Sequence, residues 1–117
     1  MRKVSKEVDA RYIACPIRQV ISRFGDKWSM LVLYTLGQSE NNVLRFSELH
    51  EHMFDCSQKM LSQTLKNLES NKLISRKVYP VVPPKVEYSL TEVGKSLIPT
   101  LDSFVAWGNE NMNAIIK

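Results

Sequence analysis

A helix with leucines along one side and a basic, amide-rich face on the other, followed at once by two β-prone runs around a proline-stiffened tip, predicts a winged helix-turn-helix. The fold class expected is α+β and mostly helical, with a two-stranded β-hairpin as the wing. A long apolar helical pattern after Thr91 completes the expectation, since it carries more large apolar residues than one small core needs. At 117 residues the chain fits one domain, and a core of that size leaves room for a partner to cover further apolar surface. Residues 1–14 are expected to form an N-terminal arm. Residues 15–117 are expected to form one winged helix-turn-helix domain with N- and C-terminal dimerisation helices.

Pro16 suits a helical first turn, and Ile17, Val20, Ile21 and Phe24 follow at helical spacing until Gly25, which puts Cys15 at the N-cap. Asp26 caps a second helix whose core residues are Trp28, Leu31, Val32, Tyr34 and Leu36, with Gly37 as its stop. Residues 38–42 form a polar loop and Val43-Leu44-Arg45 a brief strand. Ser47 is the expected cap of a third helix with Leu49 and Met53 pointing inward beside Phe46.

Ser57 caps the next helix, in which Leu61, Leu65 and Leu68 share one side. Geometry then assigns the other side to Gln58, Lys59, Ser62, Gln63 and Lys66. These are the hydroxyls, amides and ammonium groups that contact base edges and phosphates. Gln58, Lys59 and Gln63 are the candidate base readers, and Ser57, Ser62 and Lys66 the candidate phosphate contacts. In the wing, alternation places Ile74, Val78, Val86, Tyr88 and Leu90 inward and Lys77, Lys85 and Glu87 toward water, with Arg76 near an edge. Lys77 and Lys85 are the wing's candidate DNA contacts, and its prolines reduce the ordering needed on binding. The final helix carries Val93, Leu97, Leu101, Phe104, Val105, Trp107, Met112 and Ile115, kinked or interrupted at Pro99.

The net charge of +4 is mild, but its distribution is not. From Ser57 to Lys85 the chain has Lys59, Lys66, Lys72, Arg76, Lys77 and Lys85 against the single acid Glu69. Cys15 and Cys56 are too few for a disulfide scaffold and fit a reducing compartment. Cys15 is the candidate redox sensor, because the positive end of a helix stabilises a thiolate and Arg11 and Arg18 lie nearby in sequence. Cys56, just before the Ser57 cap, is read as a small apolar staple against Leu61.

Neither metal chemistry nor catalysis is expected. His50 and His52 point about 200° apart on a helix, which excludes a shared ion. There is no Gly-rich phosphate loop and no nucleophile elbow. No apolar run approaches the roughly 20 residues of a membrane span, and the first residues lack a signal peptide's apolar segment, so a cytoplasmic protein without cofactors is expected.

Cys15-Pro16, Gly25-Asp26-Lys27-Trp28, Arg45-Phe46-Ser47-Glu48-Leu49, Ser57-Gln58-Lys59-Met60-Leu61, Leu65-Lys66-Asn67-Leu68-Glu69, the wing from Tyr79 to Tyr88, Leu90-Thr91-Glu92-Val93-Gly94 and Trp107-Gly108 occur in an order and spacing that resembles the HxlR-type family of bacterial winged-helix regulators. The resemblance implies a homodimer on double-stranded operator DNA, acting as repressor or activator. It also implies, as in several members, a response to reactive electrophiles or disulfide stress through the cysteine matching Cys15, and leaves room for a small-molecule effector. Two positions depart from the family pattern. Lys72 stands where Gly is common, which leaves Asn71 to supply any left-handed turn residue, and Cys56 replaces an aliphatic residue. Two readings from other classes stay open: a winged-helix module that binds protein instead of DNA, and a thiol enzyme dependent on Cys15.

Overall fold

The computed structural model describes residues 15–116. The expected arm, 1–14, lies outside them. The elements in order are helix α1 (Pro16–Phe24), helix α2 (Lys27–Gln38), a 3-10 turn (Glu40–Asn42), strand β1 (Val43–Arg45), helix α3 (Phe46–His52), helix α4 (Gln58–Ser70), strands β2 (Ile74–Tyr79) and β3 (Lys85–Leu90), and helix α5 (Glu92–Ile115). The three strands form one antiparallel sheet in the order β1-β3-β2, so the wing is a hairpin widened by a short third strand. The mostly helical α+β winged helix-turn-helix expected from the sequence is the fold observed.

The core gathers around α2. Val32, Leu33, Leu36, Leu49, Leu61, Leu65 and Leu68 are almost wholly buried, and Phe24, Trp28, Leu44, Phe46, Tyr88, Leu97 and Ile98 pack around them. Each such aliphatic side chain contributes about 1.5–3 kcal/mol on burial. Leu33 rather than Leu31 belongs to this core, and Leu31 is 37% exposed. The segment Trp28–Leu36 is apolar nearly all round, so its periodicity does not say which side faces inward.

Three expected boundaries move. Helix α2 runs through Gly37 to Gln38. A β-carbon on Gly37 would come within 2.6 Å of Ile98 Cδ1, so this glycine allows α2 and α5 to approach and does not end the helix. The helix end is instead satisfied by Asn42, whose Nδ2 donates to the carbonyls of Leu36 (3.1 Å) and Gly37 (3.3 Å). Helix α3 begins one residue before Ser47, with Arg45 at the cap position, where its N–H donates to Glu48 Oε1 at 2.8 Å. Helix α5 passes Pro99 without interruption.

The alternation expected of the hairpin holds only near its base. Ile74 and Leu90 are buried and Tyr88 packs on the core, but Val78 is 49% exposed. The outer half of the hairpin extends past the core, so inward parity there finds nothing to pack on. Arg76 lies on the sheet's edge strand and is exposed, as expected.

The passage from α4 into the wing ends in a complete Schellman turn. Leu73 N–H donates to Leu68 O (3.1 Å) and Lys72 N–H to Glu69 O (2.9 Å), with Leu68 and Leu73 both buried. The left-handed residue is Lys72, with φ of 63°, while Asn71 keeps a φ of −84°. The turn type requires positive φ at the position after the cap, and in this chain that position is Lys72. A non-glycine residue held there costs about 1–2 kcal/mol. Replacing Lys72 with Gly should stabilise the protein by roughly 0.5–1 kcal/mol, after the extra freedom glycine gives the unfolded chain. The expected result is a melting temperature higher by about 3 °C in a circular dichroism melt. A lower one would mean that the Lys72 side chain stabilises the turn by some other route.

Candidate nucleic-acid interface

Helix α4 acquires its direction from its leucines. Leu61, Leu65 and Leu68 are buried with Thr64, and this leaves Gln58, Lys59, Ser62, Gln63 and Lys66 together on the exposed side. None of these five makes a side-chain hydrogen bond or ion pair within the described residues, so their polar groups are available to an incoming ligand. Ser57 has a structural task as well: its Oγ accepts from Met60 N–H at 3.0 Å and caps the helix. Met60 is 41% exposed on the first turn of α4, an apolar contact that the polar-face reasoning passed over.

The wing presents a second polar surface, on the side opposite Ile74, Tyr88 and Leu90. It comprises Ser75, Lys77 and Tyr79 on β2, Ser89, Glu87 and Lys85 on β3, and Arg45 on β1. Arg45 lies opposite Glu87, which lies opposite Lys77, so one row crosses the sheet as cation, anion, cation. The Tyr79 ring has Lys77 Nζ at 4.9 Å and Lys85 Nζ at 5.0 Å from its centroid. Its hydroxyl donates to Glu87 Oε1 at 2.9 Å. Lys85, expected in water, is half-buried and pairs with Glu87 Oε2 at 3.3 Å. The Tyr79 hydrogen bond, helped by Lys85 and Arg45, holds the Glu87 carboxyl below its ordinary range. Arg45 was missed as a site residue because a three-residue strand gives no cross-strand register from sequence.

The two cysteines differ. Cys15 occupies the N-cap position of α1, half-buried, and its side chain makes no capping hydrogen bond. It lines an open depression with Ile17, Arg18, Ile21 and Ser22. Cys56 is 1% exposed within the core. His50, weighed above as a metal ligand, instead donates from Nε2 to the Cys56 carbonyl at 3.0 Å and stacks on Phe46. Among the described residues no group of three or more His, Cys, Asp or Glu is placed to hold a metal ion. No helix among them is long and apolar enough to cross a membrane.

Residues 23–115 match the model of the HxlR-like helix-turn-helix family. An HTH-type transcriptional regulator of Methanothermobacter thermautotrophicus is 48% identical over 100 residues, covering 86% of this chain and 73% of its own. A crystal structure described as a MarR-family transcriptional regulator of Porphyromonas gingivalis W83 is 37% identical, with a TM-score of 0.77 over 94% of this chain and 99% of its own. The redox regulator HypR in its oxidised form is 36% identical, with a TM-score of 0.75 over 83% of this chain and 97% of its own.

Burial, reinforced by the neighbouring Asp55 carboxylate and only partly opposed by Lys27, pushes the Cys56 thiol up. With Cys15 changed to Ser, the remaining thiol should react with a maleimide about a hundredfold more slowly in native than in denatured protein, a factor set by an opening free energy of about 3 kcal/mol. Equal rates would show that Cys56 is reachable from solvent and make it a second redox candidate beside Cys15.

Proposed function

The chain belongs to the HxlR-like helix-turn-helix family of transcriptional regulators, and on that premise we propose that it reads a double-stranded operator as a homodimer and is switched by oxidation or electrophile modification of Cys15. The observation that carries the DNA reading is the unpartnered face of α4, with Gln58, Lys59, Ser62, Gln63 and Lys66 exposed side by side. In this reading α4 enters the major groove, with Gln58, Lys59 and Gln63 at base edges and Ser57, Ser62 and Lys66 on phosphates. Lys77 and Lys85 of the wing hold the flanking backbone.

The terminal helices support the dimer. Ile17 (66%) and Ile21 (60%) on α1, and Phe104 (62%) and Trp107 (52%) on α5, are exposed in the single chain. Apolar side chains of that size gain most from a partner's matching surface. To read two half-sites on one face of the duplex, such a dimer needs its two copies of α4 about 34 Å apart, one helical turn.

Three observations support the switch. The HypR relative is a redox regulator. Cys15 lines an open depression. Helix α1 is also tied to α4: Asn67 Nδ2 donates to Arg23 O at 2.8 Å, and the Arg23 guanidinium donates to Asn71 Oδ1 at 3.4 Å. Movement of α1 after Cys15 is modified would therefore pull on the reading helix.

Fluorescence anisotropy on DNA from upstream of the protein's own gene tests the reading. For about six phosphate contacts, log K should fall against log salt with a slope near −5. Changing both Lys59 and Gln63 to Ala should weaken binding by about tenfold or more, from about 1–3 kcal/mol per lost base contact. Flat salt dependence, with those variants unaffected, would favour a protein-binding module. A mild thiol oxidant should release wild-type protein but not the Cys15→Ser variant. Release of both, or of neither, would remove the switch while leaving the regulator. For the dimer, Trp107→Glu should shift the sedimentation of the protein from dimer to monomer. A dimer that survives this change would place the interface elsewhere.

A further inference from the structure

Glu87 is the only acid in either wing strand, and it stands amid the wing's cations. Both of its oxygens are engaged: Oε1 accepts from the Tyr79 hydroxyl at 2.9 Å, and Oε2 meets Lys85 Nζ at 3.3 Å. Arg45 and Lys77 flank it on the neighbouring strands. A carboxylate held this way is a fixed negative charge in the middle of a surface otherwise suited to phosphate. We propose that Glu87 is an attenuating residue of the wing, which weakens the hold of Lys85 on DNA phosphates and repels any phosphate centred on the Arg45–Lys77–Lys85 cluster. The inference rests on the DNA-binding reading and goes beyond it by giving one acidic residue the task of weakening the wing's backbone contact.

The physical basis is competition between anions. A phosphate oxygen approaching Lys85 must displace or share the Glu87 carboxylate, and no displaced counterion rewards it, because the ammonium group is already neutralised from within the protein. Lys77 has no such carboxylate partner within ion-pair distance among the described residues. Electrostatic penalties of this kind act on every DNA sequence alike, whereas base contacts from α4 act only on the right one. The carboxylate therefore lowers the wing's share of affinity for operator and non-specific DNA alike, and leaves discrimination to the base contacts of α4. A single part-buried ion pair of this kind is a weak source of stability, which makes a purely structural purpose the weaker account.

Glu87→Gln tests the proposal, because the amide keeps an acceptor for the Tyr79 hydroxyl and removes only the charge. Wild type, Glu87→Gln and Tyr79→Phe would each be titrated by anisotropy against a mixed-sequence duplex over a salt series, with melts to confirm folding. Glu87→Gln should bind this DNA about tenfold more tightly at low salt, and its log K against log salt slope should steepen by about 0.9, for one newly neutralised phosphate. Tyr79→Phe, which keeps the charge, should not steepen it. Adding Lys85→Gln to Glu87→Gln should abolish the gain, and Glu87→Thr, a second neutral and strand-compatible change, should reproduce it. Weaker binding or an unchanged slope in both neutral variants would overturn the proposal and leave Glu87 a hairpin brace. Wild-type protein with no salt-dependent binding would refute the DNA reading itself, and the proposal with it.

Discussion

The Leu73 carbonyl is the point on which the rest of the architecture depends. It accepts from Thr91 N–H at 3.0 Å, and the Thr91 hydroxyl, 3.1 Å from it, shares its one proton with the nearer Lys72 carbonyl at 2.7 Å, just where α4 has ended, the wing begins and α5 starts. Thr91 Oγ1 in turn accepts from Gly94 N–H at 3.1 Å and so caps α5. Gly94 lies so close that a β-carbon there would meet the Leu73 carbonyl oxygen at 2.2 Å, so glycine is needed for the approach itself. One carbonyl, one hydroxyl and one missing side chain thus fix the angles among α4, the wing and α5. The Schellman turn at Lys72 delivers the chain to that point.

From this junction the two polar surfaces follow by different physics. The face of α4 is open because leucines consume the opposite side and no neighbour among the described residues covers what remains. The face of the wing is closed on itself: Tyr79, Glu87, Lys85 and Lys77 form a small network that restricts its long side chains before any ligand arrives. Pre-ordered cations lose less freedom on meeting a phosphate, but an anion among them sets a limit on how strongly they attract one. One face is therefore open and unpaired and the other internally paired, although the two elements are adjacent in the chain.

The terminal helices divide between core and surface along their length. In α5, Leu97, Ile98 and Leu101 pack on the core, and beyond them Phe104, Trp107, Met112 and Ile115 are exposed. Helix α1 buries no residue fully and is held chiefly through Phe24 and the hydrogen bonds that Asn67 and Asn71 make with Arg23. An element tied to α4 by a few polar bonds, and to the core chiefly through Phe24, can shift without unfolding the domain.

The sequence by itself determined the order and type of the α-helices and strands in the described residues, but not the 3-10 turn at Glu40–Asn42, which reads as loop. Leucine spacing in α4, alternation at the wing's base and the caps Asp26 and Ser57 are local signals, each readable within a few residues. It also determined which side of α4 is polar, because three buried leucines leave one choice. Only the tertiary structure decided what depends on distant segments meeting. Gly37 reads as a helix stop until Ile98 is seen against it, and Leu33 displaces Leu31 because an all-apolar helix has no intrinsic inner face. Val78 keeps the parity of a core residue but lies beyond the core's edge, and Arg45 joins Glu87 only through strand register. Periodicity records which residues share a face; what that face meets is fixed only when elements far apart in sequence pack together.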